Sequence, residues 1–362
     1  MRSTGRAGKV KMRSNTTNFV SASALLVCLV TVANADLAEG RDPLFQTSDA
    51  LQVTIAGPLT TLVRDRAKDN YLRGQISVTD VDGVQKTFDV RMRTRGNFRH
   101  QECDYPPILL NFRKSETRGT LFDGQNKLKL VIHCRKSQRY EQTVLREYLA
   151  YRMLSVLTEM SFRVRLLHVT YVNEENEGRT QTRYAFLIEH KKRFAERVGI
   201  DNLSVEKTSV SSLQPDQLNL TSVFAYMIGN TDFSPIAGPP GEACCHNYVL
   251  FGGDGDPVIP VAYDFDQSGF VSAPYARPNE NFRIRTVRQR VYRGRCVNNT
   301  YVAGSLRKLQ DAKPRFYSLI REQEGLEKDV RRDLTQYLDS FYRLIDDPQR
   351  VERELLDECI PP

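Results

Sequence analysis

Residues 261–269 read VAYDFDQSG, a run suited to a buried strand that closes with two acids around a phenylalanine and then a polar, glycine-containing turn. A carboxylate at the end of a buried strand is costly unless it is paired or bound to a cation. Asp264 and Asp266 therefore point to a cation. Asn247 stands just before the preceding strand of the same hairpin, and an amide oxygen with two carboxylates is an oxygen donor set of the kind Mg2+ or Mn2+ accepts. Farther upstream, a helix candidate over residues 220–230 leads into GNTD and Asp232. Each of these residues also has a structural reading. Asp is favoured at caps and turns for its hydrogen bonds to backbone amides, and Asn247 beside His246 would serve equally as a satisfied polar group.

A second set of charged residues lies upstream. Lys127 and Lys129 share one face of the strand candidate KLKLVIHC, and Glu147 lies on the helix that follows, where an exposed lysine and an ordinary helical acid are the structural reading. Arg95 belongs to the turn RTRGN after another strand. Glu189 and His190 end the strand FLIEH.

The elements that must hold these residues follow from periodicity. Between residues 50 and 135, ALQVTIAG, GQISVTDV, QKTFDVRMRTRG, ILLNFR and KLKLVIHC are short alternating runs separated by Gly, Asp and Pro, which predicts strands. Residues 140–159 change period, with Leu145, Tyr148, Leu149, Met153, Val156 and Leu157 on one helical face. Two more strands, at 162–172 and 182–190, flank the turn NEENEG. After Lys191 the pattern is mainly helical, with at least two helices between 306 and 356, interrupted by a hairpin turned at GGDGDP. That turn lacks the alternating acids and closing Glu of a calcium loop, and a type I′ turn accounts for it.

The N-terminus bounds the compartment. Arg2, Arg6, Lys9, Lys11 and Arg13 precede an apolar run at 19–32 and then Ala33, Asn34 and Ala35, which predicts a signal peptide over residues 1–35. The run is shorter than the about 20 residues of a membrane span. Removing the five cations of residues 1–35 from the formal +8 leaves +3, too mild a balance to support nucleic-acid binding. Removing Cys28 leaves six cysteines: Cys103, Cys134, Cys244, Cys245, Cys296 and Cys359. An even number in an exported chain predicts disulfides. The expected pairing is Cys103 with Cys134, and the adjacent pair reaching Cys296 and Cys359 separately. Zinc is the competing reading, without the C-x-x-C spacing that favours it. Asn202, Asn219 and Asn298 are glycosylation acceptors if the secretory path is eukaryotic.

The order of RTRGN near a set of strands, an acid on the helix after KLKL, a helix ending GNTD, then HN before a strand and YDFD after it resembles the spore coat protein H (CotH) kinase-like proteins, a divergent branch of the protein-kinase fold. The resemblance covers residues 85–275. It implies an α+β, two-lobed, protein-kinase-like architecture, with a β-rich N-terminal lobe over 36–190 and a helical lobe over 191–362 that carries the metal hairpin. It assigns Asp264 and Asn247 to metal binding and Asp232 to the substrate hydroxyl, with Asp266 at a second metal. Lys129 paired with Glu147 would serve the nucleotide, Arg95 would match the turn, and Glu189 and His190 would lie where adenine meets the chain. The chain departs from the pattern in lacking a G-x-G-x-x-G loop and in carrying a long insert between Asp232 and Asn247. The implied function is an exported kinase using ATP and Mg2+ or Mn2+ on Ser or Thr hydroxyls of an exported or cell-envelope protein, secreted or periplasmic and without a transmembrane span once the signal is cleaved. The alternative is a noncatalytic envelope or surface protein that binds a metal, a nucleotide or a partner.

Overall fold

A computed structural model describes residues 42–361 apart from 177–179 and 254, so the expected signal peptide at 1–35 lies outside the described residues. Seven strands form the first half: β1 (Leu51–Gly57), β2 (Leu72–Thr79), β3 (Gln85–Thr94), β4 (Ile108–Phe112), β5 (Lys127–Val131), β6 (Val164–Asn173) and β7 (Thr180–Ile188). Each coincides with a run in which apolar residues recur at every second position. One set of alternate residues points inward, and Val53, Ile55, Ile76, Val78, Phe88, Val90, Met92, Leu110, Leu128, Leu130, Leu167 and Leu187 pack there as one core, while Leu166, Phe186 and Ile188 on the other face of β6 and β7 join a second cluster.

The strands do not remain an open sheet. They close in the order β1-β2-β3-β4-β5-β7-β6. The closing pair, β1 with β6, is parallel, running from Leu51↔Leu167 to Gly57↔Asn173, whereas every other neighbour is antiparallel. The expected two-lobed, protein-kinase-like arrangement is therefore corrected: the chain has a closed seven-stranded mixed barrel with helices, and the described residues form one compact unit. The broad α+β class fits. Closure has a simple cause, because β1 carries two ladder edges and finds a partner on each, leaving neither exposed. Where β1 passes β2, a side chain at Gly74 would run into the Ala56 carbonyl, so only glycine allows this approach.

Short helices α1 (Leu59–Asp65), α2 (Phe98–Glu102) and α3 (Lys114–Thr117) decorate the barrel connections. The long α4 (Gln138–Leu157) joins β5 to β6 and is buried on nearly every side from Tyr140 to Leu154, more than the single apolar face its periodicity predicts. The reason is that it lies between β7 of the barrel and the later helices, sharing one apolar cluster with both. Those helices are α5 (Lys191–Val198), α6 (Pro215–Ile228), α7 (Val302–Glu322) and α8 (Lys328–Ile345). A three-stranded sheet in the order β10-β9-β8 sits among them: β8 (Asn202–Leu203), β9 (Tyr248–Phe251) and β10 (Ile259–Ala262).

Three disulfides are present: Cys103–Cys134, Cys244–Cys245 and Cys296–Cys359. The first is the expected pair, tying the approach to β4 to the end of β5. The other expected pairings are corrected, since the adjacent cysteines bond to each other. The cause lies at the C-terminus, where Cys296 N–H donates to the Ile360 carbonyl and Ile360 N–H to the Gly294 carbonyl, which sets Cys359 against Cys296. Among the described residues, no helix is long and apolar enough to cross a membrane. The disulfides and the lack of such a helix are compatible with an exported protein. Of the three glycosylation acceptors, Asn219 and Asn298 are buried in the folded chain.

Candidate functional site

The strand–turn geometry brings most of the singled-out residues to one place. Arg95, Lys129, Glu147, Asp232, Asn247, Asp264 and Asp266 all line a cavity of about 750 Å3, bordered also by Arg99, Tyr151, His246 and Tyr263. They come from separate segments: the turn after β3, then β5, α4, the loop after α6, the approach to β9, and the exit of β10. Gly229 ends α6 with φ 65°, a left-handed turn that suits glycine, and the side chain of Asn230 then accepts the Asp232 N–H at 3.0 Å. The Asp232 backbone is thereby held against the end of α6.

Two ligand-type residues sit on a left-handed backbone, Asn247 at φ 56° and Asp264 at φ 63°. Asn and Asp tolerate this region better than most residues, and here it turns both side chains at the hairpin's end. The Asp264 N–H donates to the Tyr151 hydroxyl at 2.8 Å, anchoring it to α4. Asn247 Nδ2 donates to the Asp232 carbonyl at 2.6 Å and to its Oδ2 at 3.0 Å. Asp232 Oδ1 meets His246 Nε2 at 2.7 Å. That hydrogen bond raises the His246 pKa above the ordinary imidazole value, against the opposing effect of burial.

The acids at the cavity floor are under electrostatic pressure. Burial pushes the Asp266 carboxyl up, and Asp264 beside it adds to the rise. Burial also raises the Glu147 carboxyl, opposed by Arg99 and reinforced by Asp266 and Asp264. The counter-charge is Arg99, whose guanidinium lies 3.4 Å from Glu147 and 3.9 Å from Asp266, donates to the Ile132 carbonyl and stands over the Tyr275 ring. Burial works against its charge, and Tyr275 with the surrounding acids outweighs burial, so its pKa is raised. The sequence reading missed Arg99. It follows RTRGN by two residues, and its only local signal was another cation next to that turn.

Lys129 is placed differently from the expected pairing. Its ammonium stands 4.5 Å from the centre of the Tyr263 ring and makes no ion pair with Glu147, whose carboxylate is taken by Arg99. Burial and then the nearby Arg95 lower the Lys129 pKa to about 7, partly offset by Asp264. A planar, forked guanidinium can meet two acids at once, which a point-like ammonium does less well.

Glu189 lies apart from this cavity. Its carboxylate is buried and gripped by Arg197 at 2.9 and 3.0 Å and by the Arg163 N–H at 3.0 Å. The residue does border a smaller adjoining cavity of about 280 Å3, with His190, Leu203, Leu250 and the vicinal cysteines, which shares Lys129, Ile188 and Tyr263 with the larger one.

Among the described residues, no group of three or more His, Cys, Asp or Glu side chains is set to hold a metal ion. The fit to a cation rests instead on Asp264, Asp266 and Asn247, a short oxygen set of the kind Mg2+ accepts when phosphate and water complete its shell. Burial, and after it the neighbouring acids, raise these carboxyl pKa values, and a nearby divalent cation would favour their charged forms. No family model matches the chain, and no curated protein matches it.

Proposed function

We propose that the chain is an exported phosphotransferase that moves a phosphoryl group from ATP, with Mg2+ or Mn2+, to Ser or Thr hydroxyls of an exported or cell-envelope protein. The observation that carries this reading is the convergence of Lys129, Asp232, Asn247, Asp264 and Asp266 on one cavity of about 750 Å3. The motif-level resemblance to the CotH kinase-like proteins supports the same activity. Two-lobed architecture is no part of the proposal, because the closed barrel replaces it.

Asn247, Asp264 and Asp266 would hold the cation, which when bound neutralises charge that develops on the phosphates. Lys129 and Arg95 stand where they can meet phosphate oxygens. Asp232 orients the acceptor hydroxyl and takes its proton at a carboxylate oxygen. The adjoining cavity of about 280 Å3, with Ile188 and the backbone of Glu189 on its wall, is of a size to take an adenine ring.

The alternative, a noncatalytic envelope or surface protein, draws on one observation. Arg99 occupies the carboxylate of Glu147 and leaves Lys129 without it. A thermal shift separates the two readings, because a ligand bound to the native state raises apparent stability by mass action, about 2.7 kcal/mol at a hundredfold excess over Kd. Oxidised protein given ATP and Mg2+ or Mn2+ should be stabilised only by the combination, and Asp264→Ala should lose this without unfolding. Unchanged stabilisation in the variant rejects the role of Asp264, and no stabilisation with any combination favours the noncatalytic reading.

A further inference from the structure

The outer face of the barrel next to the cavity carries an unusual accumulation of cations. On β3, Arg91 and Arg93 alternate with the core residues Val90 and Met92, so both point outward on the same side. The ladder register places Arg73 of β2 directly across from Arg91, and Asn111 of β4 on the other side, with Lys127 of β5 next in the same row. One step along, Arg93 pairs with Leu109 and Leu109 with Lys129, which is already a cavity residue. The buried Asn111 and Leu109 separate the arginines of β3 from Lys127 and Lys129, and the set of cations reaches the site at Lys129.

Two features separate this face from ordinary solvated charge. Like charges directly opposite each other on an antiparallel pair are destabilising, and Arg73 faces Arg91 in that position. Tyr71 also holds two of the cations in place, with the Arg91 guanidinium 5.2 Å and the Arg93 guanidinium 5.4 Å from its ring centre. Among the described residues, none of Arg73, Arg91, Arg93 and Lys127 has a carboxylate within 4.0 Å. The nearest acid on β3, Asp89, is engaged by the Gln75 amide at 3.0 Å.

We propose that this face docks an acidic segment of the protein substrate, next to the hydroxyl that enters the cavity. A polypeptide with carboxylates at successive positions complements a row of cations spaced along strands, and its attraction is long-ranged enough to steer the segment toward the site. The word substrate rests on the phosphotransfer reading above. The docking itself does not.

The test uses a fluorescein-labelled peptide of about twelve residues, with one Ser flanked by Glu and Gly, followed by fluorescence anisotropy on the oxidised protein without nucleotide. Binding is expected at about 20 mM salt and should weaken steeply by about 200 mM, where the screening length falls below about 10 Å. The double variant Arg73→Glu with Arg91→Glu should bind at least tenfold more weakly. Arg307→Glu with Lys308→Glu, two exposed residues of α7 carrying the same change of charge, should bind within twofold of the native chain. Both variants must keep the native unfolding midpoint, and a second pair, Arg91→Gln with Arg93→Gln, repeats the test if the reversal disturbs the barrel. Equal loss in the two double variants overturns the proposal, as does unchanged binding in the barrel variant. Tighter binding of duplex DNA of equal charge overturns it too. Peptide binding with no phosphate transfer from ATP leaves the docking face standing and removes the phosphotransfer reading.

Discussion

His246 Nε2 lies 2.7 Å from Asp232 Oδ1, so the residue assigned to the acceptor hydroxyl shares its carboxylate with an imidazole whose pKa that contact raises. A protonated His246 withdraws basicity from Asp232. Phosphoryl transfer should therefore climb with pH through a midpoint above 6.5, as the imidazole loses its proton. In His246→Gln that limb should vanish from the pH–rate profile, while Asp232→Ala should lose activity on the order of 10^2 to 10^4 at every pH. A profile unchanged in His246→Gln would detach the imidazole from the chemistry.

Arg99 is the only guanidinium within 4.0 Å of Glu147 and Asp266 among the described residues. Removing one partner of a buried ionic group leaves the others uncompensated, at a cost of about 3–5 kcal/mol. Arg99→Met should lower the stability by about that amount in urea unfolding at neutral pH. The deficit should be largest above pH 8 and shrink as pH falls through the raised carboxyl pKa values, about 8 for Asp266. An equally stable variant at neutral pH would show that the acids are compensated in some other way.

His133 supplies a pH dependence outside the cavity. It is buried near the start of the segment after β5, neither ring nitrogen has a hydrogen-bond partner among the described residues, and burial, helped by Arg183 and Arg99, lowers its pKa from 6.5 to about 4. With the folded pKa below the unfolded one, this group favours the folded state above pH 6.5, and that contribution is lost as pH falls toward 4. The shift corresponds to about 3 kcal/mol at most. Stability measured at pH 7 and at pH 4 should fall less for His133→Phe than for the native chain by that order, and equal losses would contradict a buried neutral imidazole.

The Cys296–Cys359 bond spans 63 residues and fastens the C-terminal segment beside the entry to α7. On the loop-entropy model its removal costs about 4 kcal/mol. Cys296→Ala with Cys359→Ala should lose that order of stability in denaturant titration without losing the barrel's circular dichroism. A loss below about 1 kcal/mol would mean that the backbone bonds between Gly294, Cys296 and Ile360 hold the segment without it.

Much of this molecule is written locally. The alternation in TFDVRMRT and LQVTIAG marks β3 and β1 whichever partners they take, and VAYDFD reads as a strand whose end carries acids. What local pattern cannot carry is β1 meeting β6, because the same buried residues serve an open sheet or a closed barrel. The Arg99 cluster was hidden for a related reason. Its partners Glu147 and Asp266 lie far apart along the chain, and the fragment NFRHQE has neither a clear strand nor a long helical period. The pairing of Lys129 with Glu147 follows from the kinase-like resemblance, and the competing guanidinium from α2 is not visible in the spacing of KLKL and the helix after it. The vicinal cysteines were misassigned because bridging two adjacent residues depends on backbone geometry that composition does not encode.

The parallel union of β1 with β6 also sets a timetable for synthesis. As the chain grows from its N-terminus, Leu51–Gly57 can zip to β2 within a few dozen residues, yet its other edge waits until Val164–Asn173 has emerged. Until then the nascent molecule presents an unsatisfied strand to its neighbours, and a chaperone or a translocation channel that shields residues 51–57 would guard the one seam on which completion of the barrel depends.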